Sequence, residues 1–152
     1  MSQSAALPSD LADCSASQLL DLYRSGQASP VSATQAVLAR IDRHNPELRA
    51  FCVVDHEAAL ASARASEARW QQGAPCGPLD GVPTSIKDLI LTQGWPTLRG
   101  SRTVNPDQPW DVDAPATARL REAGAHGLAF KGAAWAGARP TCWARCWAAS
   151  PD

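Results

Sequence analysis

Apolar residues recur at helical spacing in the first half of the chain, and capping residues divide them into separate predicted helices. Ser15 and Gln18 have the spacing of a capping box, and the apolar face behind them ends at Gly26. Ser29-Pro30 combines an N-cap with a proline at the first helical position, and we expect the helix it begins to end at Asn45-Pro46. The apolar stripes are Leu19, Leu22 and Tyr23 in the first helix, and Val31, Thr34, Val37, Leu38 and Ile41 in the second.

A β-prone run and a third helix follow. Ala50 to Val54 is rich in strand-forming residues, and Asp55 can cap an Ala-rich helix that extends through Arg69 and stops at Gly73. Helix and strand patterns therefore alternate, which indicates an α/β fold.

From Ala74 onward the chain becomes rich in Gly and Pro. Thr84 to Leu91 is the predicted strand of this region. Asp113 is the expected N-cap of a last helix that runs through Ala123, with Ala116 and Leu120 on the same side as Ala123 and with Gly124 as its stop.

Composition narrows the class of protein. The 152 residues carry 14 Lys+Arg and 15 Asp+Glu, and 45% of them are hydrophobic. This balance argues against a phosphate-neutralising nucleic-acid binder and against a disordered chain. We see no membrane span and no secretory signal, so we expect a cytoplasmic protein.

The composition changes near residue 125. Residues 126–152 hold three of the six Trp and a single acidic residue, Asp152. We therefore divide the chain into an N-terminal tail, 1–14, a main domain, 15–125, and a divergent tail, 126–152, for which a truncated or frame-shifted ending is our hypothesis. The DNA past codon 125, read in the other frames, tests that hypothesis.

Lys87 is the strongest candidate for a catalytic residue. It follows Val82 and Ile86 in the predicted strand, and burial there would favour its neutral, basic form. Ser85 would share its face, as a nucleophile and its base require. An exposed or ion-paired Lys87 beside an unrelated Ser85 is the stronger interpretation of composition alone.

Other candidate groups are weaker. His44, His56 and His126 are scattered beside loops and caps, so we expect surface or capping roles. Cys142 and Cys146 lack the second close pair that a structural zinc site needs, and free thiols are expected instead.

The run Gly77-Pro78-Leu79-Asp80-Gly81-Val82-Pro83, followed by Ser85-Ile86-Lys87-Asp88, closely resembles the N-terminal motif of the amidase signature family. Further matches keep their order from residue 15 to residue 125. The resemblance implies N-terminal helices followed by part of a mixed β-sheet, an incomplete form of that fold.

The resemblance also implies a reaction. Family members hydrolyse amides, or release ammonia from glutamine, with a nucleophilic Ser, a second Ser in cis conformation and a Lys, and they need no cofactor. Lys87 matches the Lys, whereas no Gly-Gly-Ser run that could supply the serines occurs in the 152 residues. Neither Ser85 nor Ser101 matches the motif of the nucleophile, so we expect the chain alone to be inactive.

Three functions follow as alternatives. The first is an amidase-type hydrolase of a small-molecule amide, with no metal, no membrane partner and no direct nucleic-acid contact, and with a homodimer left open. The second is the A-type subunit of a glutamine-dependent tRNA amidotransferase. The third is a non-catalytic remnant or interaction module, whose incomplete sheet would leave exposed strand edges.

Overall fold

The computed structural model describes residues 10–125 and 130–132, and it begins with a short 3-10 helix, Leu11–Asp13. This helix lies within the stretch assigned to the N-terminal tail, and it is fastened to the next helices by Arg40. The Arg40 guanidinium donates to Asp10 Oδ2 at 2.6 Å and to both carboxylate oxygens of Asp13. Residues 10–13 therefore pack against the main domain.

The first two long helices begin where their caps predict. Helix α1, Ala16–Arg24, has the capping box of Ser15 and Gln18, and Gly26 follows it with a φ of 68°. Helix α2, Pro30–Leu48, is capped by Ser29. Both predicted stripes face inward: the three residues of the first are buried, as are Thr34, Leu38 and Ile41 of the second.

The predicted end of α2 at Asn45-Pro46 is wrong. Pro46 lies inside the helix, which continues to Leu48 and ends at Arg49 with a φ of 50°. A proline this close to the C-terminus removes only one late helical hydrogen bond. The Asn45 side chain also holds the exit of the helix, since its Oδ1 accepts from the Phe51 N–H at 2.8 Å and its Nδ2 donates to the Phe51 carbonyl at 3.0 Å.

The predicted strand and third helix are present. Strand β1 is Phe51–Val54, and helix α3 is His56–Gln71, with Asp55 Oδ1 accepting from the Ala58 N–H at 2.9 Å. Gly73 follows α3 with a φ of 67°. The buried face of α3 consists of small residues, Ala59, Ala63 and Ser66, which let it lie close against α2.

Two predictions for the Gly- and Pro-rich region need correction. The strand expected over Thr84–Leu91 is reduced to β2, Ile86–Lys87, because the Lys87 carbonyl accepts from the Leu89 and Ile90 N–H groups in a tight turn. Helix α4 is Pro115–Glu122, and its N-cap is Ala114, not Asp113. Gly124 follows α4 with a φ of 80°, as expected.

Asp113 and the inward side of α4 also differ from the prediction. The Asp113 carboxylate accepts from the Gln93 N–H at 2.7 Å and from Arg121 Nε at 2.6 Å, so it ties a loop to the helix instead of capping it. The buried residue of α4 is Thr117, whose hydroxyl donates to the Leu91 carbonyl at 2.8 Å, whereas Ala116 is exposed.

The sheet is mixed and has the strand order β1-β3-β2, with β3 formed by Phe130–Gly132. Strand β1 pairs antiparallel with β3, and an irregularity in register lies between Phe51 and Val53. Strand β2 pairs parallel with β3 and places Lys87 opposite Gly132. Helices followed by part of a mixed sheet are what the family resemblance predicts.

The apolar core lies between the helices and the Gly- and Pro-rich segment. One cluster joins α1 and α2 to Val82, and its buried members are Leu19, Leu20, Tyr23, Ala33 and Val82. A second joins α2 to α3 through Leu38, Ile41 and Ala59. Within the residues described, no helix has the length and apolar character to cross a membrane.

Candidate active-site lysine and its support

The Gly- and Pro-rich turn before β2 is closed by backbone bonds to the end of α4. The Leu79 N–H donates to the Ala123 carbonyl at 2.9 Å, and the Gly81 N–H donates to the Gly124 carbonyl at 3.2 Å. Gly81 has a φ of 86°, and a Cβ there would lie 2.7 Å from Pro30 Cγ and 2.8 Å from Ser66 Oγ. Only glycine combines this conformation with so close an approach.

A buried carboxylate holds the same turn from the side of α3. Asp80 has no exposed surface, and its Oδ1 accepts from Ser66 Oγ at 2.7 Å and from Arg69 Nη2 at 2.6 Å. Its Oδ2 accepts from Arg69 Nε at 2.9 Å and from the Cys76 N–H at 2.8 Å. We call Asp80, Ser66 and Arg69 the Asp80 clamp.

The charge of Asp80 is stabilised by these donors. Burial acts to raise the pKa of its carboxyl, but the hydrogen bonds from Arg69, Ser66 and the Cys76 N–H outweigh it and hold that pKa well below its usual range. The bidentate geometry of Arg69 suits a planar carboxylate. A buried, ionised Asp80 is therefore the stable state at neutral pH.

Two aromatic side chains complete the support of the turn. Trp70 Nε1 donates to the Asp80 carbonyl at 3.0 Å, and Tyr23 Oη donates to the Gly81 carbonyl at 3.0 Å. Their rings meet edge to face with centroids 5.9 Å apart. Burial raises the pKa of Tyr23, which therefore remains a hydrogen-bond donor at neutral pH.

Lys87 lies at the end of this supported segment. Ile86 is 3% exposed, whereas Ser85 and Lys87 are exposed, as strand alternation requires. The sequence prediction of a shared face for Ser85 and Lys87 agrees with this pattern. The exposed side chain of Lys87 also agrees with the interpretation that composition alone favoured, whereas the alternative, a buried Lys87, is not seen in the described part of the chain. Within residues 10–125, the Lys87 ammonium group forms no ion pair.

The segment after Lys87 is also held. Asp88 is 6% exposed, and its Oδ1 accepts from the Leu98 N–H at 3.2 Å. Asp88 therefore faces the interior, whereas the neighbouring Lys87 faces outward.

The other predicted groups lie apart from Lys87. His56 contacts Asp42 at 2.9 Å on the surface, and His44 is exposed beside an apolar groove of about 290 Å³ lined by Val37, Ile41 and Phe51 among others. The surface roles predicted for these two histidines are thus confirmed. His126, Cys142 and Cys146 lie outside the described residues.

The thiols and acidic groups that are described form no metal site. Among the described residues, Cys14, Cys52 and Cys76 are not in disulfide bonds. No group of three or more His, Cys, Asp or Glu side chains suited to a metal ion occurs among the residues with described positions.

The Asp80 clamp was missed by the sequence interpretation. Ser66 and Arg69 are three residues apart and so share a face of α3, and Asp80 is an isolated acid between Leu79 and Gly81. Those signals indicate a buried acid only if the turn is known to pack against α3. Local sequence patterns do not predict that contact.

Comparison with known proteins decides the family. A model of the family described as Amidase matches residues 32–129. The chain belongs to the amidase family. The match contains the whole Asp80 clamp, Lys87 and α4, and it extends past residue 125, the predicted end of the main domain.

The relatives that the chain resembles are longer proteins. It is 45% identical over 114 residues to the A-type subunit of the glutamyl-tRNA(Gln) amidotransferase of Myxococcus xanthus, which is 75% of this chain and 23% of that protein. For the corresponding protein of Chloroflexus aurantiacus, identity is 47% over 100 residues, 66% of this chain and 20% of that protein. This amidase-family chain thus spans about a quarter or less of the length of these relatives.

Solved structures show the same relationship. The native peptide amidase of Stenotrophomonas maltophilia superposes with a TM-score of 0.71 at 33% identity, over 82% of this chain and 26% of the peptide amidase. A bacterial aryl acylamidase of the amidase signature family gives 0.67 at 27% identity, over 78% of this chain and 25% of the acylamidase. The α/β fold, with N-terminal helices and part of the mixed sheet, is confirmed.

Proposed function

We propose that this chain supplies the lysine-bearing N-terminal part of an enzyme that hydrolyses the carbon-nitrogen bond of a small amide. The observation that carries the proposal is the position of Lys87. It lies inside the family match, on a strand that is held from both sides, and its side chain is exposed and without an ion pair in residues 10–125. A group in this position is accessible to reacting partners.

Lys87 is proposed to be the general base of the reaction. In the mechanism implied by the family, the neutral Lys amine accepts, through the cis-Ser, the proton of the nucleophilic Ser. That Ser attacks the amide carbonyl, the proton taken by Lys87 passes to the nitrogen that leaves as amine or ammonia, and water hydrolyses the acyl-enzyme to regenerate the Ser. Backbone N–H groups stabilise the oxyanion. No metal or other cofactor takes part in this scheme.

The serines of this mechanism are not matched in the chain, which has no Gly-Gly-Ser run. A neutral lysine is also favoured by burial, and the exposed Lys87 lacks it here. We therefore propose that a larger enzyme must provide the serines and cover Lys87 before it can act as a base.

A second candidate is an A-type subunit of a glutamine-dependent tRNA amidotransferase. It is favoured by the identity of 45% to the Myxococcus xanthus protein, whose name carries that function. In that case partner subunits would be needed. In either case we propose that the protein is cytoplasmic and binds a small-molecule amide. We also propose that it makes no direct contact with nucleic acid or membrane. In the amidase case, a homodimer is the oligomeric state to test.

A chimera tests the proposed function. The aligned 114-residue stretch of this chain replaces its counterpart in the Myxococcus xanthus protein, and ammonia release is measured from glutamine and from a simple aliphatic amide. Ammonia release from either substrate supports the proposal that this stretch can supply the lysine-bearing part of an active enzyme. A folded chimera that is inactive on both would contradict the proposal.

A further inference from the structure

Strand β2 is too short to fix the position of Lys87 through its own ladder. It consists of two residues, Ile86 and Lys87, which pair with Lys131 and Gly132 of β3. A strand of this length contributes few hydrogen bonds, and strands in globular proteins usually have about five or six residues. The position of Lys87 must therefore depend on the segments on either side of the strand.

Upstream, the chain is anchored at Asp80, Gly81, Val82 and Ile86. The Asp80 side chain is held by α3, the Gly81 carbonyl by Tyr23, and Val82 and Ile86 are 7% and 3% exposed. Only Pro83, Thr84 and Ser85 separate the buried Val82 from the buried Ile86, so a displacement of the Asp80 turn has a short path into β2. The downstream anchor, Asp88, restrains only the other end.

Among the upstream anchors, the ion pair of Arg69 and Asp80 can be removed by a single substitution of Arg69. Arg69 donates two hydrogen bonds to Asp80 and balances its buried charge, and Ser66 donates another. Without Arg69, the Asp80 carboxylate would have to take a proton or find water, and either change opens the contact between the turn and α3.

We propose that Arg69 and Ser66 are positioning residues for Lys87 and act through Asp80. The functional meaning of this role rests on the proposed function, since it presumes that Lys87 is the base. The structural part of the proposal is that the Asp80 clamp holds β2 in a fixed conformation. This part does not depend on any enzymatic activity.

The experiment is amide hydrogen exchange by mass spectrometry on the full 152-residue chain. Arg69→Met removes the ion pair, and Arg64→Met is its matched control, because Arg64 is exposed on the same helix. We expect exchange in residues 86–91 to accelerate at least about tenfold in Arg69→Met, the effect of losing one charged hydrogen bond. Peptides of α2 should change less than about threefold, and Arg64→Met should match the parent chain.

A conservative variant separates positioning from general destabilisation. Arg69→Lys keeps the charge and one donor, and it should restore most of the protection of residues 86–91. Equal acceleration of all peptides, or unchanged exchange in residues 86–91 of a folded Arg69→Met, would overturn the proposal. Where Arg69→Met does not fold, Ser66→Ala decides, since it removes one neutral donor: local acceleration supports the role and unchanged exchange refutes it.

These outcomes do not depend on catalysis. If the chimera is inactive while β2 loses protection as expected, the proposed function fails and the Asp80 clamp stands. If the chimera is active and exchange in residues 86–91 does not change in Arg69→Met, the clamp proposal fails, whereas the proposed role of Lys87 as the base is retained.

Discussion

The hydroxyl of Tyr23 donates a 3.0 Å hydrogen bond to the carbonyl of Gly81, which lies 58 residues further along the chain. The bond is buried and joins α1 to the turn that precedes β2. Its acceptor belongs to the residue whose φ of 86° allows the turn to approach Pro30 and Ser66. The N-terminal helix is thus part of the support of Lys87.

Tyr23→Phe should destabilise the protein by about 1–2 kcal/mol, because the buried Gly81 carbonyl loses its donor while the ring keeps its packing against Trp70. Urea unfolding followed by circular dichroism measures the change. Gln35→Ala, an exposed position on α2, is the control and should stay within about 0.5 kcal/mol of the parent. Equal stability of the two variants would show that the hydrogen bond contributes nothing.

Gly81→Ala and Gly94→Ala form a matched pair. Both glycines have a positive φ, 86° and 84°, so both alanines carry the same kind of backbone strain. A Cβ at Gly81 meets Pro30 and Ser66 atoms below 3.0 Å, whereas a Cβ at Gly94 meets nothing within 4 Å. We expect Gly81→Ala to cost about 1–3 kcal/mol more than Gly94→Ala in the same unfolding assay. A cost no greater than that of Gly94→Ala would mean that the turn is not tightly packed.

Stability should fall in acid, and Asp80 should account for part of the fall. Its pKa is lowered on folding, so its contribution is complete above the ordinary Asp value of 3.8 and declines as the pH drops below it. The Ala12 N–H and Arg40 likewise lower the pKa of Asp10. Thermal melts between pH 7 and pH 2 should show a declining midpoint below about pH 4.5.

Asp80→Asn is the variant that identifies the source of this acid sensitivity. It should be less stable than the parent at pH 7 by roughly 3 kcal/mol, because Arg69 loses its charged partner, and the difference should shrink toward pH 2. Asp21→Asn, at an exposed i,i+3 pair with Arg24, is the control and should follow the parent curve. A constant difference between Asp80→Asn and the parent at all pH values would contradict the depressed pKa.

The purified 152-residue chain should not hydrolyse simple amides, because no residue in it matches the nucleophilic or the cis serine of the family. Ammonia release from an aliphatic amide measures this, with Lys87→Ala as the control for contaminating activity. Turnover above background that Lys87→Ala abolishes would contradict the prediction. A cooperative thermal transition of the same sample would show a self-standing unit, and its absence together with dye-binding apolar surface would indicate an incomplete one.

Local sequence signals were sufficient for most of the helices. Ser15, Ser29 and Asp55 cap their helices because a side-chain oxygen can satisfy a free N–H within three residues, which needs no tertiary information. The resemblance likewise placed Lys87 in an incomplete sheet. Pro46 was misjudged because its effect depends on how near the helix end lies.

The support of Lys87 could not be predicted, because it is non-local. Asp113 has a cap-like sequence but bonds to Gln93 and Arg121, and the strand after Thr84 is cut short by a turn at Lys87. Burial of Asp80 depends on contact with α3, and the exposure of Lys87 depends on which side of β2 faces the core. Periodicity of the sequence gives the alternation along a strand but not the face that is buried.

Substitution of Lys87 in the chimera with the Myxococcus xanthus protein tests the central claim most directly. Lys87→Met removes the amine and should leave the chimera folded, while kcat/KM for ammonia release falls by at least about 100-fold, as the loss of a general base requires. Arg64→Met is the control and should retain full activity. An active chimera in which Lys87→Met keeps kcat/KM within a few-fold of the parent would show that Lys87 is not the base.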